Sequence, residues 1–105
     1  MANGYDRAWA AGLFEGEGSI TWHTRNTKPG VRLTLKMTDE DTVRRFASIA
    51  GEGQVYGPYT DKGRPHQKPH WEWAAVRASA RRVAEWLIPL LGPRRRARWE
   101  EINGA

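Results

Sequence analysis

The sequence predicts an α+β domain: helix, two strands, helix, two strands, then helical sequence to the end. The strands form one four-stranded antiparallel sheet, with the helices gathered on one face. Three observations carry this. Stretches 19–25 and 31–38 alternate apolar and polar residues around a breaker-rich turn, as two paired, half-buried strands do. A second pair of strand-like stretches, 54–59 and 70–77, follows an amphipathic helical segment. No Pro/Gly/Ser-rich linker of useful length interrupts the 105 residues, so one domain, 1–105, accounts for the chain. A domain of that size buries about 65% of its unfolded surface and needs no covalent staples.

Residues 5–16 fit the first helix: Trp9, Leu13 and Phe14 fall at helical spacing, Asp6 is acidic near the start, and Gly16-Glu17-Gly18 ends it. In the first strand Ile20 and Trp22 face the core, while Thr21, His23 and Arg25 face out. Asn26-Thr27-Lys28-Pro29-Gly30 makes the turn. In the second strand Val31, Leu33, Leu35 and Met37 point inward, and Arg32, Thr34, Lys36 and Thr38 outward. Thr38 and Asp41 have the spacing of a capping box that opens the second helix. That helix carries Val43, Phe46, Ala47, Ile49 and Ala50, and Gly51-Glu52-Gly53 closes it. In the fourth strand Trp71, Trp73 and Ala75 share one face, and His70, Glu72 and Ala74 the other. A helix over 79–91 buries Val83, Trp86, Leu87 and Leu90, and a last short helix after Gly92-Pro93 carries Arg94 to Glu101.

The chain has 17 Lys+Arg against 12 Asp+Glu, a formal charge of +5, and no cysteine. The absence of cysteine excludes a disulfide framework, thiolate zinc sites and a cysteine nucleophile. No apolar run approaches the roughly 18 residues of a membrane span, and the first residues lack the basic start and apolar stretch of a secretory signal. A soluble, intracellular (cytoplasmic) protein with no membrane partner is the expectation. The positive balance points to a polyanion, of which nucleic acid is the commonest. Helices on one sheet face leave the other open, lined by Thr, His, Arg, Lys, Gln, Tyr and Glu. Such a face serves either as a solvated surface or as the reader of a nucleic-acid groove. His66 and His70 stand four apart, but Pro69 denies them a helical face, and the lack of Cys argues against zinc there. Trp22, Trp71, Trp73 and Trp86 are read as core in preference to stacking platforms for single strands.

Residues 10–18 read Ala-Ala-Gly-Leu-Phe-Glu-Gly-Glu-Gly. This resembles, without a gap, the nine-residue LAGLIDADG signature of the homing endonucleases. Ala11, Gly12, Leu13 and Gly18 match as they stand, Ala10 and Phe14 are other apolar residues, Gly16 stands where the family has Ala or Gly, and Glu15 and Glu17 replace the two aspartates. The resemblance covers nearly the whole chain: 33–38, 44–46 and 51–56 look like the family's second strand, second helix and third strand. Residues 88–98 look like the basic C-terminal segment of its compact single-motif members. It implies a saddle-shaped αββαββα domain.

The motif also has a physical logic of its own. Ala8, Gly12 and Gly16 recur at i, i+4 and i+8, a small-residue stripe that lets two helix backbones approach closely. The stripe packs either on the chain's own core or on a second copy. With one such helix per chain, the second case is a C2 homodimer with Ala8, Gly12, Glu15 and Gly16 at the seam. It brings two Glu17 carboxylates into one space, where a divalent cation with oxygen ligands relieves their repulsion. Two acids at a helix C-terminus also oppose the helix dipole, although exposed acids in a Gly-rich turn are common.

By resemblance, Glu17 is the metal carboxylate for Mg²⁺ (or Mn²⁺), the Gly16 carbonyl an added ligand, and Glu15 a capping and interface residue. Asp39 falls where relatives place a polar residue beside the hydrolytic water. Arg94 falls near a basic residue that stabilises phosphate charge. A further base expected on the second helix aligns at Val43 and is missing, with Arg44 next to it. Arg95, Arg96 and Arg98 are phosphate contacts or a solvated basic face. Target reading falls to Thr21, His23, Arg25, Arg32, Thr34, Lys36, Gln54, Tyr56, His70 and Glu72, with Lys28, Lys62, Arg64 and Lys68 suited to phosphates. The implied function is metal-dependent hydrolysis of double-stranded DNA by a homodimer, at a pseudo-palindromic target, across the minor groove. Compact free-standing relatives often come from phage or bacterial genomes, which the resemblance makes the expected origin. Two rivals stand beside it: a non-cleaving DNA-binding regulator or intron-RNA maturase on the same fold, and an RNA-binding or protein-interaction module on an unrelated α+β sheet.

Overall fold

A computed structural model describes residues 2–24, 28–60, 62–64 and 66–104. The chain runs through α1 (Gly4–Glu17), β1 (Gly18–His23), β2 (Gly30–Met37), α2 (Glu40–Ala50), β3 (Gln54–Tyr59), β4 (His70–Val76), α3 (Arg77–Leu87), a 3-10 turn (Ile88–Leu90) and α4 (Pro93–Asn103). The strands form one antiparallel sheet in the order β1-β2-β4-β3. Strands β2 and β4 lie at its centre, with Leu33 opposite Ala75 and Leu35 opposite Trp73.

The inward parity predicted for β2 holds: Val31, Leu33 and Leu35 are fully buried, and Met37 packs at the core's margin. Ile20, Trp73 and Ala75 extend that apolar face, and Phe14, Val43, Phe46, Val83 and Leu87 come down on it from α1, α2 and α3. Phe46 sits centrally, its ring 4.7 Å edge-on from Trp73 and 6.2 Å from the nearly parallel Phe14. Pairs of this kind add about 0.5–1.5 kcal/mol beyond their area. The Trp73 indole donates to the Glu52 carbonyl at 2.9 Å, so its polar atom enters the core satisfied.

Several expectations are corrected. Trp22 shares Ile20's side of β1 but is 39% exposed: alternation fixes the face a side chain takes, not how far the helices cover that face. Leu90 is 54% exposed. Pro89 has no N–H to continue an α-helix, so α3 stops at Leu87, a 3-10 turn follows, and Leu90 swings off the buried stripe. The cap of α2 is Asp39, not Thr38. Asp39 has extended backbone, its Oδ1 accepts from the Asp41 N–H at 3.1 Å and its Oδ2 from the Thr42 hydroxyl at 2.8 Å. Helix α1 starts one residue before the predicted position, under an Asn3–Asp6 capping box. Other boundaries differ by one or two residues. Arg25, with Asn26 and Thr27, lies outside the described residues.

Helix α1 passes into β1 at Gly18, whose N–H closes the helix on the Phe14 carbonyl. A Cβ added at Gly18 would land on the buried Phe14 ring. Gly18→Ala is therefore expected to lower stability by about 1–3 kcal/mol, the usual cost of overpacking, read as a lower urea midpoint at unchanged slope. No helix among the described residues is long and apolar enough to cross a membrane.

Candidate nucleic-acid interface and metal centre

Helix α1 is buried on one side through Ala10, Ala11 and Phe14. Ala8, Gly12 and Gly16 lie on its exposed side, where a Cβ at Gly12 or Gly16 would meet nothing within 4 Å. The glycines thus do not serve packing on the chain's own core. Tyr5, 89% exposed, continues this face toward the helix start.

Glu17 is the last residue of α1 and is exposed. It borders a hollow of about 380 Å³ shared with Lys36, Met37, Thr38, Gln67, Lys68 and His70. Its carboxylate therefore stands where the small-residue face of α1 meets the basic outer face of the sheet. Among the described residues no three His, Cys, Asp or Glu side chains gather into a metal cage. One copy offers a single carboxylate here with the adjoining backbone, which fits half of a Mg²⁺ site and not a whole one.

Glu15 is committed within its own chain. Its Oε1 accepts from the Gly92 N–H at 2.7 Å and its Oε2 pairs with Arg95 at 2.9 Å. Arg95 and Arg98, expected as phosphate contacts or a solvated basic face, are instead tied to the chain's own backbone. Arg95 donates to the carbonyls of Glu15 (2.9 Å) and Gly18 (2.7 Å), and Arg98 to the carbonyl of Ile20 (3.2 Å). Their stripe was readable: Arg95, Arg98, Trp99 and Ile102 fall at i, i+3, i+4 and i+7, the spacing of an inward helix face. Arg94 and Arg96 are exposed. Val43 is fully buried, so its position has no room for a basic residue. Arg44 lies outside, paired with Glu40 at 2.7 Å and stacked 5.3 Å from the Trp71 ring centre. Asp39 caps α2 and follows Thr38 in the chain, but it is not among the residues that line the Glu17 hollow.

The register gathers the candidate readers onto the outer face of the sheet. Lys36, Glu72 and Tyr56 form one row across β2, β4 and β3; Thr34, Ala74 and Gln54 form the next; Thr21 and Arg32 a third. His70 pairs with Tyr59, their rings 5.6 Å apart. Arg32 and Glu72 are not independent, because Arg32 Nη2 bonds Glu72 Oε1 at 3.2 Å. Ala74 lies between their strand positions and is only 7% exposed on an otherwise open face. A concavity of about 710 Å³ holds His23, Lys28, Arg32, Gln54 and Tyr56 together with Arg77. Lys62 and Arg64 are exposed on the loop between β3 and β4, outside both hollows.

Arg77 carries no periodicity signal. It adopts a left-handed φ of 51° and donates to the Lys28 carbonyl at 2.9 Å, holding the rim of the concavity. On the opposite rim the hydrogen bond from Arg82 holds the Glu52 carboxyl below the ordinary carboxylate range, against a smaller opposing push from burial. This contact is fully present at neutral pH and is lost as pH falls through that lowered value.

No protein-family profile matches the chain, and no curated protein does. Solved structures do. The homing endonuclease I-CvuI in complex with its target matches with a TM-score of 0.67 at 23% identity, over 90% of this chain and 63% of that one. The homing endonuclease I-TnaI matches with 0.71 at 15% identity, over 97% and 70%. The LAGLIDADG meganuclease I-AabMI bound to uncleaved DNA matches with 0.71 at 14% identity, over 93% and 34%. The chain thus spans under two thirds of the I-CvuI chain and about a third of the I-AabMI chain.

Proposed function

We propose, from the LAGLIDADG endonuclease fold that this chain shares with those structures, that it is a site-specific endonuclease for double-stranded DNA, acting as a homodimer. The observation that carries this is the place of Glu17: an exposed carboxylate ending α1, between an open Gly12/Gly16 face and a basic sheet surface. Two copies joined on that α1 face bring their Glu17 carboxylates together and complete the half site that each holds alone. Magnesium or manganese held there would supply Lewis-acid polarisation of the phosphate and would ease deprotonation of the attacking water.

The chain's own residues do the rest. The Glu17 carboxylate and the Gly16 carbonyl hold the cation. Lys36 and Lys68, beside Glu17, draw the phosphate backbone in. Arg94, exposed on the first turn of α4, stabilises charge developing on the phosphate. The outer sheet side chains read base edges in the major groove of each half-site, and Lys28, Lys62 and Arg64 fix register on the backbone. Asp39 orients the attacking water. Asn caps helices about as well as Asp, so Asp39→Asn is expected to keep the melting temperature and slow cleavage by roughly 10²-fold, measured side by side.

One observation favours a second reading, a protein on the same fold that binds DNA or intron RNA without cutting it: Val43 is wholly buried where a base is expected. Mass in solution together with nicking of a random-site plasmid library, with Mg²⁺ and with EDTA, separates the two. A dimer that cuts a few members with Mg²⁺ alone supports the endonuclease. A dimer that binds and never cuts supports the second reading, and a monomer that does neither sinks both.

A further inference from the structure

We propose that Arg95 is a positioning residue for Glu17, clamping the backbone on both sides of the Gly16–Glu17 pair. The inference rests on Glu17 as the metal carboxylate. From α4, the guanidinium reaches back to the end of α1, where Nε donates to the Glu15 carbonyl at 2.9 Å and Nη1 to the Gly18 carbonyl at 2.7 Å. These carbonyls flank the two residues that would hold the cation. The same group pairs with the Glu15 carboxylate and lies 5.7 Å from the Phe14 ring centre, with its side chain 20% exposed.

The local sequence needs such a clamp. Helix α1 ends on two acids with no basic residue in its last turn, so the negative end of its dipole is left to a cation from elsewhere. Gly16 has no side chain to restrain the backbone, and nothing would touch a Cβ there. A glutamate aimed from such a segment is only as well placed as the backbone beneath it, and misplacement of about 1 Å costs roughly 10² in rate. The bonds to residues 15 and 18 require two N–H vectors in a fixed fork, which arginine has and lysine lacks. Glu15 completes the tie from the other side by accepting the Gly92 N–H at the start of α4. Helix α4 has further anchors in Arg98 on the Ile20 carbonyl and in buried Ile102, so the fold does not hang on Arg95 alone.

The test compares Arg95→Lys and Glu15→Gln with the wild-type full chain. The readouts are amide hydrogen exchange without metal, DNA affinity in EDTA, and Mg²⁺ titration of cleavage. Arg95→Lys is expected to speed exchange about tenfold or more over residues 16–20 with the rest of the chain unchanged. It also raises the Mg²⁺ needed for half-maximal cleavage by about 10–100-fold, the usual effect of losing an outer partner of a metal ligand, at unaltered DNA affinity. Glu15→Gln keeps both carbonyl bonds and an acceptor for the Gly92 N–H, so its exchange over residues 16–20 stays near wild type. Unchanged exchange over 16–20, faster exchange spread over the whole chain, or a wild-type Mg²⁺ titration would each overturn the proposal. If the wild-type chain cuts no DNA, the endonuclease reading fails by itself, and the exchange comparison alone decides whether Arg95 holds this segment.

Discussion

Glu17→Gln is expected to yield a folded dimer that binds DNA and no longer cuts it. The substitution keeps shape and removes charge at an exposed position, so stability should stay within about 0.5 kcal/mol of wild type. In the proposed homodimer the functional effect is far larger, because a two-fold axis applies it twice: both carboxylates at the shared site disappear together. A neutral amide holds Mg²⁺ poorly, and the cleavage rate should fall by about 10³-fold or more. Binding moves the other way. Two negative charges near the phosphates are gone, so affinity in EDTA should equal or exceed that of the wild-type chain. Plasmid cleavage and fluorescence anisotropy on the same preparation give both numbers, and full-rate cutting by the variant would end the metal-carboxylate assignment.

The second large effect belongs to assembly. Gly12 sits mid-helix on the open face of α1, and a Cβ there has space. Gly12→Arg should therefore leave a single chain folded, and even firmer by about 0.5–1 kcal/mol, since glycine inside a helix carries that penalty. Two such arginines meeting across the proposed two-fold axis cannot share the space or the charge. The mass in solution should halve, and double-strand cleavage should drop by at least about 10²-fold. Gly18→Ala is the counterpart, attacking the fold and not the assembly. Light scattering and denaturant melts on the two variants should give opposite patterns. A Gly12→Arg protein that remains dimeric would place the seam elsewhere.

Much of this was legible in the residues. The unbroken alternation of β2, the Gly-Glu-Gly stop after α2 and the nine-residue motif each state their structure locally, and the fold agrees with all three. Coverage and reach were not legible. Trp22 obeys its parity and is still uncovered, since no rule of alternation says where a helix ends above a strand. Leu90 obeys helical spacing until Pro89 breaks the frame. The two arginines that tie α4 to the α1–β1 junction looked like part of a basic run, because their acceptors are backbone carbonyls nearly eighty residues away. A carbonyl has no letter in a sequence. Arg77's left-handed backbone is hidden for the same reason: the loop end that it holds is distant in the chain.

The ion pair between Arg32 and Glu72 has a bearing on how this surface can change over generations. Each of the two neutralises the other on the sheet face, so replacing one strands a half-covered charge on its neighbour. On the proposed reading of this face, a lineage drifting toward a new target would meet a barrier at these two sites that only a coordinated double exchange avoids. Gln54, Thr34 and Lys36 have no hydrogen-bonding side-chain partner among the described residues. Of these, Lys36 is tied to its place beside Glu17, so on the same reading Gln54 and Thr34 can vary one at a time and are the places where adaptation would begin.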